Sequence, residues 1–344
     1  STEIVSKSSS EVSGVTDLNA TFVRPLGFYI KGFNSLQNTH YYFIFLLFVY
    51  IATVLSNVIL MSVILFVDNL HTPKYIAIFT LSVVDISCST AIIPKCVDAF
   101  LMNSKFISYE SCLAQMFFVH YFSAMESFTL AVLAYDRFIS ICFPLHCHTI
   151  NTNTRMIIII VISWAIPLVL TVVGVHLITH LSFCKSTVIN SYFCDYRPVY
   201  ILACNDISAN MIISGCFSFG FIFIPLIVII LSYACIIVAV MKIASAEGKW
   251  KTFKTCTAHL ILVAIFYLPL LGTYLTVMST QFIDTDVRIL NTTLSATLPP
   301  LLNPIVYTLK TDEIMEQIRK LVRKRKTKSL ICYNVFFFLI NKYY

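Results

Sequence analysis

The chain has 344 residues, 58% of them hydrophobic and only 12% charged, with eight glycines and a formal net charge of +7. A soluble domain carries roughly a quarter charged residues, so the composition excludes an ordinary soluble globular protein and points to the membrane. Twelve cysteines are scattered singly, with no CxxC pair and no His/Cys cluster, which argues against a zinc or redox centre.

Residues 1–40 are polar and mixed, without the basic start, short apolar run and small-residue cleavage site of a signal peptide. A bilayer core needs about 20 apolar residues of helix. Runs of that kind fall at 41–67, 75–100, 112–138, 156–178, 208–241, 257–280 and 288–309, which predicts an all-α bundle of seven transmembrane helices. The chain then divides into an extracellular segment 1–40, a seven-transmembrane domain 41–309 and a cytoplasmic segment 310–344. Within 312–324, Ile314, Ile318, Leu321 and Val322 recur at helical spacing while Lys and Arg fill the other face. That pattern predicts an interfacial amphipathic helix drawn to anionic lipid. The end, SLICYNVFFFLINKYY (329–344), is apolar but too short to span; two readings stand for it, a segment lying in the interface with Cys332 a candidate for acylation, or a stretch that is no part of the working receptor sequence.

Seven spans place the termini on opposite sides. With the N-terminus outside, sixteen of the twenty-four Lys and Arg fall inside, nine of them from Lys310 onward, which satisfies the positive-inside rule. The sequons Asn19-Ala20-Thr21 and Asn291-Thr292-Thr293 both fall on the predicted outer face. No internal repeat and no matched pair of broken helices is visible, which weighs against a transporter.

Charge inside a bilayer is costly and marks function. Asp85 lies mid-way along span two and Glu126 mid-way along span three. Two readings stand for them: a small-cation or proton site, or a pair satisfied by neighbours such as Asn57, Ser82 and Asn303. His120 could line a ligand cavity or be satisfied by a neighbour. Lys95 and Asp98, three residues apart near the outer interface, read as a snorkelling pair. Asp136 and Arg137 end span three side by side, where an ion pair at the cytoplasmic interface is tolerable. No nucleophile motif, HExxH or phosphate-cradling glycine loop appears, so an enzyme is not expected.

LAYDRFISICFPLHC (133–147) closely resembles the helix-three signature MAYDRYVAICxPLxY of odorant receptors, in the rhodopsin-like class of G-protein-coupled receptors. LHTPKYIAIFTLSVVD (70–85), EGKWKTFKTCTAHL (247–260) and PPLLNPIVYTLKTDEI (299–314) are similar to three further signatures of the family, in order and spacing. With SNVIL (56–60) and FCKSTVINSYFCDYRPVYILAC (183–204), the resemblance covers about 19–320. The run NATFVRPLGFYIKGF and the TLKT after helix seven look most like the fish branch.

The resemblance implies a G-protein switch formed by Asp136, Arg137, Tyr233, Asn303, Pro304 and Tyr307, with Arg137 held by Asp136 at rest. Phe138 departs from the usual Tyr. It also implies disulfides Cys112–Cys194 and Cys184–Cys204, and a ligand pocket among His120, Ser123, Ala124, Thr171, Arg197, Ser214, Ser218, Tyr267 and Tyr274. An inward Arg197 would suit a carboxylate. Pro225 and Pro269 free backbone carbonyls that neighbours must satisfy. The implied partners are a small-molecule odorant, a heterotrimeric G protein of the stimulatory, olfactory type and membrane lipid, with no nucleic acid. No cofactor is implied beyond a sodium ion that Asn57, Asp85, Glu126 and Asn303 could hold, and no transition metal. The implied location is the plasma membrane, in the cilia of olfactory sensory neurons. A receptor for an internal metabolite is the nearest rival reading and a transporter or channel a distant one.

Overall fold

The computed structural model describes residues 22–33, 39–278, 285–311, 313–317 and 319–320. Seven long helices carry the described chain: α1 Thr39–Phe66, α2 Pro73–Leu101, α3 Tyr109–Cys142, α4 Asn153–Thr179, α5 Ser208–Met241, α6 Ala246–Met278 and α7 Thr285–Lys310. The first six are long and apolar enough to cross a membrane. The seventh is interrupted by Pro299, Pro300 and Pro304 and carries Asn and Thr on its packed side. The seven expected spans are therefore present, several of them a turn or more longer than their apolar runs. The extra turns at the start of α6, 246–256, carry Glu247, Lys249, Lys251 and Lys254.

Which face each helix buries follows from its side chains. Ile157, Ile158, Val161 and Ile162 on α4 are exposed, while Met156, Ile160 and Thr171 are buried. A continuous exposed aliphatic face of this kind would aggregate in water but is the natural solvent boundary in lipid. Helix α3 is the opposite case, buried along most of its length and packed against α2, α4, α5 and α6.

At the Arg137 end, the core is built from Leu60, Ile78, Leu133, Met156, Leu262 and Tyr307. At the opposite end, Phe28, Ile107, Met116, Phe183 and Tyr196 form a second cluster. Here lies an element that the hydropathy pattern does not reveal: a three-stranded sheet in the order β2-β1-β3. The N-terminal strand β1 (Gly27–Ile30) runs antiparallel to β2 (Phe106–Ser108) and parallel to β3 (Val188–Ile189). Phe28 and Ile30 are fully buried in it. Strands of four, three and two residues are too short to show a period of two.

Both disulfides expected from the family resemblance are formed, Cys112–Cys194 and Cys184–Cys204, with Cα atoms 5.3 and 5.9 Å apart. They tie the loop between α4 and α5 to the end of α3 and to itself. Past α7, residues 313–317 and 319–320 are helical, with Ile314 buried in the bundle core and Glu316 paired to Lys320 at 2.7 Å. The start of the expected amphipathic helix is thus present. Its remainder, Asn19, Cys332, the tail 329–344 and the side chain of Tyr274 lie outside the described residues.

Candidate ligand and signalling sites

The polar residues sort into three layers. In the middle of the bundle, the Asn303 amide of α7 donates to both oxygens of Asp85, at 2.9 and 3.1 Å. Asp85 is fully buried, and Asn57, Glu126 and Asn303 are at most 2% exposed. Of the neighbours expected for Asp85, only Asn303 bonds it. Asn57 is engaged elsewhere: its amide donates to the Pro300 carbonyl at 3.0 Å. The chemistry is plain, because that carbonyl's helical partner would be the N–H of residue 304, and Pro304 has none. Oxygens remain without a partner in this layer, namely Glu126 Oε1 and Asn57 Oδ1.

At the next residue of α3, Ser127, the same logic recurs. Helix α5 contains a π-helical turn, Phe219–Phe223, directly before Pro225. The α-helical partner of the Phe221 carbonyl would be the N–H of residue 225, which proline lacks. Ser127 of α3 donates its hydroxyl to that carbonyl at 2.6 Å, and its oxygen lies 2.7 Å from the Tyr267 hydroxyl of α6. Sequence reasoning expected neighbours to satisfy Pro225 and assigned Tyr267 to the ligand pocket. The structure supplies Ser127 as the missing residue and engages Tyr267, 2% exposed, in holding three helices together. The one signal in the sequence was Pro225 itself, which leaves a carbonyl of α5 in need of a donor without saying which helix supplies it.

Toward the disulfide end, His120 Nε2 lies 3.3 Å from Asp195 Oδ1 and 3.4 Å from the Tyr196 amide nitrogen. Its ring stacks on Phe217 of α5. Gln115, one to two turns away, donates to the Ala91 carbonyl and accepts from the Cys194 amide, both at 3.1 Å. Asp195 and Gln115 were not singled out from the sequence; nothing in a lone loop acid or a helical Gln marks its partner. The hydroxyls of Thr171 and Ser218 donate to carbonyls of their own helices, at 2.7 and 3.1 Å. Ser214 is half-buried beside them, Ala124 is buried, and Ser123 faces Cys88 of α2 at 3.7 Å.

Three expectations need correction. Arg197 is exposed on a short helix, Tyr196–Tyr200, whose other residues are buried. A guanidinium prefers that wet side, and the argument for a carboxylate ligand falls with it. Asn291 lies within α7, donating to the Pro269 carbonyl at 3.0 Å and to the Thr273 hydroxyl of α6. A sequon inside a packed helix presents no free amide, so Asn291→Gln is expected to leave the electrophoretic mobility of the expressed protein unchanged. A faster-running Asn291→Gln band would contradict this placement.

The third concerns Asp136 and Arg137. Both are buried, at 3% and 8% exposure, so the pair is more desolvated than its interfacial position suggested. Asp136–Arg137 is not among the ion pairs of the described residues. Instead Asn151, at the end of a one-turn helix Cys147–Ile150, donates to Asp136 Oδ1 at 2.8 Å. Adjacent residues on a helix point about 100° apart, which favours a partner from the next loop over a direct pair. Nearby, the Tyr233 hydroxyl lies 2.8 Å from His259 Nδ1, and His259 Nε2 lies 3.0 Å from the Leu130 carbonyl. His259 thus links α5, α6 and α3 just above Arg137, a role the family signature CTAHL carried without stating it. Lys95 and Asp98 pair at 2.6 Å as expected.

A family model described as olfactory receptor matches residues 46–325. The chain belongs to the olfactory receptor family. Olfactory receptor 1M1 of Homo sapiens is 36% identical over 280 residues, covering 81% of this chain and 89% of that protein. Olfactory receptor 6N1 of Homo sapiens is 36% identical over 298 residues, covering 86% and 95%. In fold, the crystal structure of squid rhodopsin matches with a TM-score of 0.66 at 17% identity, covering 84% of this chain and 87% of that one. This olfactory receptor is accordingly a multi-pass membrane protein with the seven-helix receptor fold, a receptor rather than an enzyme. Its partners by class are a small-molecule ligand and a G protein.

Proposed function

We propose that this olfactory receptor binds a small organic odorant in the half of the bundle nearer the disulfides and activates a stimulatory, olfactory-type G protein, raising cyclic AMP. In this reading the disulfide end faces outward, with glycosylation at Asn19, and the Arg137 end faces the cytoplasm of olfactory cilia. The observation that carries it is the contact of His120 with Asp195, Tyr196 and Phe217, which brings α3, α5 and the disulfide-tied loop around one polar group whose side chain is 24% exposed. Ser214, Ser218 and aromatic neighbours supply a mixed hydroxyl and apolar surface suited to a small molecule held by dispersion and a few hydrogen bonds. Asp136, Arg137, Tyr233 and Tyr307 form the opposite, switching end, with Asn303 and Pro304 in the layer between.

The test is cyclic AMP in transfected cells exposed to an odorant panel. A response is expected from the native chain and at least a ten-fold loss from Arg137→Ala at equal surface expression. A ligand-driven flux that survives Arg137→Ala would return the transporter reading.

The oxygen set Asp85, Glu126, Asn57 and Asn303 also suits a hard monovalent cation, because carboxylate and amide oxygens are what such ions prefer and two of these oxygens have no protein partner. Sodium is expected to raise the unfolding midpoint of the purified receptor relative to choline at equal ionic strength, with the increment gone in Glu126→Gln. An equal increment in Glu126→Gln would leave the two carboxylates as a proton-sharing or purely structural pair.

A further inference from the structure

Two exposed histidines four residues apart close α4: His176 in its last turn and His180 as the residue that caps it. Residues at this spacing share one helix face, and here the two rings converge: Nε2 to Nε2 is 3.2 Å, with ring planes at 85°. A metal held by two imidazoles at about 2.0–2.1 Å, with the angle between 90° and the tetrahedral value, requires the nitrogens to stand roughly 2.9–3.4 Å apart. In the structure the two rings share one N–H···N hydrogen bond across that distance; the nitrogens already stand inside the interval, and a metal would take the place of the shared proton, which moves to the donor ring's Nδ1. Two histidines at i and i+4 on one helix face are also how helical zinc sites are built.

We propose that His176 and His180 form a binding site for a divalent transition-metal ion, Cu2+ in preference to Zn2+. The preference follows from the general order of affinities of nitrogen sites for first-row metals. The position adds a second favourable contribution, because the C-terminal end of a helix carries partial negative charge and favours a cation. No third His, Cys, Asp or Glu among the described residues joins the pair, so water completes the coordination and the site is open. The local frame is fixed: Asn205 donates to the His180 carbonyl at 3.0 Å and accepts from the Ser182 amide at 3.0 Å, and Cys204 beside it is tied to Cys184. The cysteine pattern pointed away from a transition metal, but this site uses no cysteine. The inference is independent of the odorant reading, since it concerns a metal alone and is measured without any odorant.

The test uses the full-length receptor in lipid nanodiscs, titrated with Cu2+, Zn2+ and, as an oxygen-preferring control, Mg2+. Expected is one Cu2+ whose electron paramagnetic resonance spectrum shows coupling to two imidazole nitrogens, weaker binding of Zn2+ and none of Mg2+. His176→Ala and His180→Ala should each lower Cu2+ affinity at least ten-fold, whereas His40→Ala should not change it. Both ring edges are exposed, so the variants should keep the native unfolding midpoint in EDTA, while Cu2+ should raise that midpoint only where both histidines remain. The absence of Cu2+ binding in the native chain would overturn the proposal. So would equal affinity in the His176→Ala/His180→Ala double variant.

Discussion

Asn57→Leu is expected to lower the unfolding midpoint of the purified receptor, and Pro304→Ala in the same chain is expected to recover part of that loss. Asn57 is fully buried and donates to the Pro300 carbonyl across the α1–α7 contact. Leucine has a similar size but no donor, so the carbonyl would be left buried and unpaired, at a cost of about 1–3 kcal/mol. Alanine at 304 restores the backbone N–H that proline removes and so offers the same carbonyl an intrahelical partner. The two substitutions should therefore be strongly non-additive, which a double-mutant cycle of thermal unfolding in detergent measures directly. Additive effects would mean that Asn57 acts through the helix-one side alone, where its amide also meets the Thr53 carbonyl at 3.0 Å.

A larger loss is expected from Cys112→Ser. The Cys112–Cys194 bridge closes a separation of 82 residues, for which the loop-entropy account gives roughly 4.5 kcal/mol. Both sulfurs are buried, and the bridge places the Cys194 amide on Gln115 and Asp195 on His120. Its removal should therefore release the loop as a unit. The expected result is little receptor at the cell surface and a steep drop in unfolding midpoint. Cys184→Ser, which closes a separation of only 20 residues near the surface, should be milder. Equal losses from the two would mean that the loop is held chiefly by its packing.

The helices were legible because a bilayer imposes a coarse constraint: about 20 apolar residues in a row cannot be hidden. Asp85, Glu126 and Asn303 were legible for the related reason that polar groups are conspicuous in such a run. Partners were harder. Whether Asp136 meets Arg137 or Asn151 depends on where a loop of eight or so residues turns, and no periodicity encodes that. Asn291 looked like a surface sequon because three letters say nothing about which helix face they occupy. Ser127 and His259 went unremarked because a lone hydroxyl or imidazole in an apolar helix has many bland explanations. Only the position of a proline in another helix gives Ser127 its meaning.

The central place of β1 in its sheet has a consequence for biosynthesis. Tyr29 pairs with Val188 and Phe28 with Ile107, so the earliest-made strand meets β2 only after two long helices have been made and β3 only after four. Contacts so distant in sequence form late. Until then the apolar side chains of Phe28 and Ile30 have no sheet to enter. The N-terminal segment must wait beside the nascent bundle, and its capture between β2 and β3 would mark a late step in maturation.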